Sequence, residues 1–118
     1  MAKILICEPY AALRDLLEQI VTEMGHQASL YDPKDQHTSD QRADLLILDP
    51  ADPDAHKWAR QQRLNNPDLP ILCVSRQSLK QHADDLAPTT YLVKPVTVSE
   101  LEAAIAATLA AHHDEPIA

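Results

Sequence analysis

Residues 43–53 read ADLLILDPADP, and the centre of that stretch decides the architecture. Leu45, Leu46, Ile47 and Leu48 are four aliphatic side chains in a row. The run is too short for a helix and lacks the alternation of a half-exposed strand, so it reads as a strand buried on both faces. Asp49 and Pro50 end it. Two similar runs flank it in the chain, KILIC from Lys3 to Cys7 and PILCV from Pro70 to Val74. Three doubly buried strands are the centre of a parallel sheet with helices on both faces. Gln27 to Tyr31 and Thr90 to Val93 are weaker runs, suited to its edges.

Helical patterns lie between these strands. From about Ala11 to Met24, the residues Leu13, Leu16, Leu17, Ile20, Val21 and Met24 form one stripe, and Gly25, the single glycine, follows where a left-handed cap is wanted. Asp52 is placed to cap a second helix with Pro53 at its first position and Trp58 and Ala59 inside, ending before Asn65. Ser78 and Gln81 suit the start of another, with Leu79, His82, Ala83 and Leu86 inward. The last helix is expected from about Glu100 to Ala111, behind a Ser99–Glu102 capping box, with Leu101, Ala104, Ile105, Thr108 and Leu109 in a stripe. Residues 32–42, DPKDQHTSDQR, hold no apolar anchor, so a loop or poorly packed turn is expected there.

Strand and helix alternate, and right-handed crossovers then wind the chain into an α/β doubly wound five-stranded parallel sheet whose second helix is weak or absent. Ligand chemistry in such a sheet gathers beyond the carboxyl ends of its strands. Glu8, Asp49, Ser75 and Lys94 each close or follow an apolar run, so the topology brings them to one rim. Two carboxylates, a hydroxyl and an ammonium together suit phosphoryl transfer to a carboxylate oxygen, with charge neutralisation supplying most of the rate.

Composition narrows the alternatives. At 118 residues the chain is the size of one domain, and 45% apolar with 24% charged residues is the balance of a chain that buries a core. A net charge of −8 without a Lys/Arg cluster disfavours direct nucleic-acid binding. No apolar run approaches a membrane span, and MAKILICEP leads straight into a strand, so a cytoplasmic location without membrane attachment is expected. Cys7 and Cys73 sit inside apolar runs as core thiols, and the six histidines are scattered without metal-ligand spacing. A flavin or nucleotide site would need a glycine- or hydroxyl-rich loop after the first strand, and Cys7 to Ala12, CEPYAA, offers none.

These pieces, taken in order, resemble response-regulator receiver domains of the CheY-like kind from Lys3 to about Ala111. KILIC with Glu8 looks like the first strand and its acidic end, with Arg14 beyond it. ADLLILD followed by PADP resembles the phosphoacceptor strand, PILCVS the strand carrying the conformationally active hydroxyl, and YLVKP the strand ending in a lysine and a usually cis proline. The resemblance implies a flavodoxin-like strand order 2-1-3-4-5, a receiver domain over residues 1–112 and a tail at 113–118. It implies Asp49 as phosphoacceptor, Ser75 and Lys94 as phosphoryl-binding groups and Tyr91 as the aromatic switch. It further implies Glu8, Asp49 and the Ala51 carbonyl as Mg²⁺ ligands. The implied partners are a sensor histidine kinase or phosphotransfer protein, and a downstream protein or output domain that reads the face of the fourth helix, fifth strand and fifth helix; a homodimer is a further possibility.

The sequence also departs from that pattern. Pro9 stands where the family's second acid binds the metal, so Mg²⁺ binding is expected to be weakened or lost. The intervals from Gly25 to Asp49 and from Ser75 to Lys94 are short for the family, Ala87-Pro88 replaces its small pair before the fifth strand, and Val96 replaces the commoner aromatic. Two readings therefore stand: a phosphoacceptor, or a pseudo-receiver that serves as a phosphorylation-independent interaction module.

Overall fold

The structure, a computed structural model, describes residues 2–31, 43–76, 86 and 88–113, with side chains described to residue 110. Five parallel strands, β1 (Lys3–Cys7), β2 (Gln27–Leu30), β3 (Leu45–Leu48), β4 (Ile71–Ser75) and β5 (Thr90–Val93), form one sheet in the order β2-β1-β3-β4-β5. Three helices, α1 (Ala11–Glu23), α2 (Pro53–Asn65) and α3 (Val98–His113), cover it. This is the expected doubly wound, flavodoxin-like arrangement. The weak segment at 32–42, the helix expected from Ser78 and the tail after 113 lie outside the described residues, apart from Leu86, which is buried.

The strand alternation sorts the core into two halves. Ile4, Ile6, Leu45, Ile47, Leu72 and Val74 face α1 and α3, meeting Leu17, Ile20, Val21, Leu101 and Ile105. Leu5, Leu46, Leu48, Ile71 and Cys73 point the other way and pack with Ala55, Trp58 and Ala59 of α2 and with Leu86. Every residue of β3 is buried, whereas β2 and β5 keep partly exposed side chains, as edges of a covered sheet do. Tyr31 closes one end of the α2 half by stacking on Trp58, with ring centroids 4.1 Å apart and planes at 15°. Trp58 is thus a core residue, 5% exposed.

In register, Cys7 pairs with Leu48 and Leu48 with Cys73. The two thiols are therefore two strand spacings apart, roughly 9.5 Å, beyond the reach of a disulfide. Both are buried and neither forms a disulfide.

The helix ends follow the local chemistry. After α1, Gly25 at φ 87° lets its own amide reach the Thr22 carbonyl (3.0 Å) and the His26 amide reach that of Val21 (3.1 Å), which is a Schellman cap. Asp52 caps α2 by accepting from the Asp54 amide at 3.1 Å, with Pro53 at the first position. That helix includes Asn65, one residue past the expected stop, and Asn66 is its C-cap. The start of α3 corrects the sequence reading. The reciprocal capping box is Thr97 with Glu100, not Ser99 with Glu102: Thr97 Oγ1 accepts from the Glu100 amide and Glu100 Oε1 from the Thr97 amide, both at 3.1 Å. The two pairs have the same S/T-x-x-E spacing two residues apart. The earlier pair lets the Thr97 carbonyl accept from Leu101 (3.1 Å) as the helix's first backbone bond. Within α3 the buried Thr108 hydroxyl donates to the Ala104 carbonyl (2.6 Å) and meets Thr90 Oγ1 of β5 at 2.8 Å. No helix among the described residues is long and apolar enough to cross a membrane.

The two candidate caps separate cleanly by mutation. Thr97→Ala is expected to lower the unfolding free energy by about 1 kcal/mol, and Ser99→Ala to change it by less than about 0.5 kcal/mol, as measured by chemical denaturation.

Candidate functional site

The register of the central strands assembles the site. Because Cys7 pairs with Leu48, the next residues, Glu8 and Asp49, leave β1 and β3 side by side. Ser75 closes β4 opposite Val93, so Lys94 emerges from β5 at the same edge. The Lys94 amide donates to the Ser75 carbonyl at 2.6 Å, holding that end of β5 against β4, and the Lys94–Pro95 bond is cis. All four residues singled out from the sequence therefore meet at one rim. Glu8, Asp49 and Ser75 are each at most 5% exposed.

Lys94 joins the two carboxylates. Its Nζ lies 2.9 Å from Glu8 Oε1 and 3.1 Å from Asp49 Oδ2. The bond to Asp49 has hydrogen-bond geometry. The approach to Glu8 is an ion pair by distance, off the hydrogen-bond directions, so Glu8 Oε1 is charge-compensated without a hydrogen bond. The remaining oxygens are held by backbone: Glu8 Oε2 accepts from the Tyr10 amide at 3.0 Å and Asp49 Oδ1 from the Ala51 amide at 2.9 Å.

Above this triad opens a cleft of about 400 Å³ lined by Pro9, Tyr10, Asp49, Ala51, Asp52, Ser75 and Arg76. Tyr10, 44% exposed, stands over its wall with the Arg76 guanidinium carbon 4.6 Å and Lys94 Nζ 4.9 Å from its ring centroid. The structure thus places Tyr10 at the cleft. Arg76 was not singled out, since nothing in its sequence context separates it from any surface arginine. Tyr91 is half-buried and packs on the α2 side of the sheet. Cys73 pairs with Tyr91 and Ser75 with Val93, so Tyr91 and Ser75 share a face two positions apart on neighbouring strands.

A divalent cation at this rim would need several oxygen donors in near-octahedral array. Pro9 has none to offer, and both Glu8 and Asp49 are turned onto Lys94 and backbone amides. Among the described residues no three acidic, histidine or cysteine side chains gather as a cation site. Ala51 and Asp52 also line the cleft, Asp52 already accepting from the Asp54 amide, so the donor set as it stands, with Glu8 and Asp49 on Lys94, does not fit such an ion.

One consequence reaches into the core. Burial pushes the Cys73 thiol up to about 12, and the nearby Asp49 charge adds to this while Arg63 opposes it. At pH 8 the thiolate is then only roughly one part in ten thousand.

No protein-family model matches the chain, and no curated protein matches it in sequence. Solved structures do match. A CheY-like response regulator receiver domain protein from Methanospirillum hungatei JF-1 superposes with TM-score 0.84 and 18% identity, over 98% of this chain and 99% of that one. The chemotaxis response regulator CheY4 of Vibrio cholerae gives 0.80 and 20%, over 92% and 98%. NtrX of Brucella abortus gives 0.82 and 20% over 95% of this chain, which spans only 28% of NtrX. The fold is that of a response-regulator receiver domain.

Two outcomes test the site. Lys94→Met leaves two buried carboxylates uncompensated and is expected to cost about 3–5 kcal/mol of stability. Adding Asp49→Asn to that variant should recover part of the loss, and a strictly additive double-mutant cycle would show the triad to be uncoupled. In the folded protein at pH 8, Cys73 should resist an aromatic disulfide reagent that titrates it after unfolding.

Proposed function

We propose that the chain is a receiver module that accepts a phosphoryl group on Asp49 from the phosphohistidine of a sensor kinase or phosphotransfer protein. The observation that carries this reading is the Asp49 carboxylate, bonded to Lys94 at 3.1 Å and lining an open cleft together with Ser75. In the transfer, a carboxylate oxygen of Asp49 forms the new bond to phosphorus, the P–N bond of the donor breaks, and its electron pair returns to the imidazole nitrogen. Lys94 holds the acceptor and takes up charge on the phosphoryl oxygens as they arrive.

Signalling follows from packing. The Ser75 hydroxyl turns toward the new phosphoryl group, and the space it leaves lies on the face that carries Tyr91. Inward rotation of Tyr91 then reshapes the surface of β5 and α3, which a downstream protein or output domain reads. Support comes from the receiver fold and from the convergence of Asp49, Ser75 and Lys94. A cytoplasmic location fits this role.

A second reading is favoured by Pro9 and by the closure of both carboxylates on Lys94: a pseudo-receiver that binds partners without phosphorylation. Incubation with acetyl phosphate separates the two. A phosphoacceptor yields a retarded band on a phosphate-affinity gel that Asp49→Asn abolishes, whereas a wild-type band without retardation supports the pseudo-receiver.

A further inference from the structure

We propose that Arg76 is the cation that meets an incoming phosphoryl group in this cleft, so that Asp49 is phosphorylated without a divalent metal. The inference rests on the phosphoacceptor reading and deepens it. A doubly charged phosphoryl donor approaching a carboxylate meets like charge, and the site must supply positive charge where the donor's oxygens arrive. Pro9 offers a metal no side-chain oxygen, Glu8 and Asp49 are engaged with Lys94, and Asp52 accepts from the Asp54 amide.

Lys94 is already shared between two carboxylates before a donor arrives. It bridges Glu8 and Asp49, and its side chain is only 11% exposed. Among the described residues lining the cleft, the cationic side chain is Arg76, which is exposed and follows Ser75 directly at the end of β4. Its guanidinium rests on the Tyr10 ring at 4.6 Å. A guanidinium held over a ring by its charge still has N–H donors in a planar fork that matches two phosphoryl oxygens. Arg76 is thereby anchored at both ends, by a buried strand and by an aromatic wall, beside the acceptor carboxylate. Asp52 is the opposing charge on the cleft wall. It caps α2, accepting from the Asp54 amide at 3.1 Å, so its field is offset in part by the helix's amino end.

The test is the rate of covalent labelling by acetyl phosphate, followed by intact mass, in excess Mg²⁺ and in excess chelator, for wild type, Arg76→Ala and Arg76→Lys. Arg76 is exposed, and circular dichroism confirms the fold of each variant. The expected result is wild-type labelling in chelator within about twofold of that in Mg²⁺, and a loss of about tenfold or more in chelator for Arg76→Ala, the scale of a charge-assisted contact made in the transition state. Arg76→Lys, which keeps the charge without the fork, should fall between them. Wild-type labelling in Mg²⁺ alone overturns the inference and leaves the receiver reading standing, as does Arg76→Ala labelled in chelator at the wild-type rate. Labelling in neither condition overturns the phosphoacceptor reading and this inference with it.

Discussion

One ammonium holds the working edge of this protein together. Lys94 Nζ sits within 3.1 Å of two carboxylates that are almost fully buried, and without it β1 and β3 would end in like charges side by side. The arrangement is possible only because the register brings Glu8 next to Asp49 and sends Lys94 out beyond Ser75. The aliphatic rows of β1, β3 and β4 fix that register, since a slip by one residue would turn each buried row toward the wrong helix layer. Packing of the core thus sets the geometry of the charges.

The same dependence explains what could be read from sequence. LLIL, KILIC and ILCV admit one environment, two covered faces, and from that the sheet, its helices and the meeting of Glu8, Asp49, Ser75 and Lys94 all follow. The caps were legible where the chemistry was unambiguous, as at Gly25 and at Asp52-Pro53. They were not at α3, where Thr97–Glu100 and Ser99–Glu102 satisfy one rule and the choice turns on which carbonyl begins the helix. Arg76 escaped notice for a different reason: its position depends on contact with Tyr10, a residue far away in the chain, and no local pattern encodes a long-range cation–π contact.

Tyr91 and Ser75 belong to the α2 half of the core, while the Glu8 and Asp49 positions continue the rows that face α1 and α3. The site therefore straddles the sheet, with the charged triad on one set of rows and the Ser75 hydroxyl on the other. Because interiors of this kind are close-packed, a hydroxyl that shifts must be matched by a side chain that fills its place, and a half-buried aromatic on the same face is suited to that.

Glu8 and Pro9 are best understood together. Proline offers neither a side-chain oxygen nor a backbone donor, so the next amide after that of Glu8 is that of Tyr10. Glu8 Oε2 accepts from it at 3.0 Å. Tyr10 is the N-cap residue of α1, and its own side chain makes no capping bond. The Glu8 carboxylate thus places negative charge at the amino end of that helix, where the backbone dipoles favour it, while its other oxygen faces Lys94. An acid oriented by a helix terminus on one side and by an ammonium on the other is fixed in place, and reorienting it toward a metal would forfeit both contacts. Position 8 therefore serves the structure of the rim.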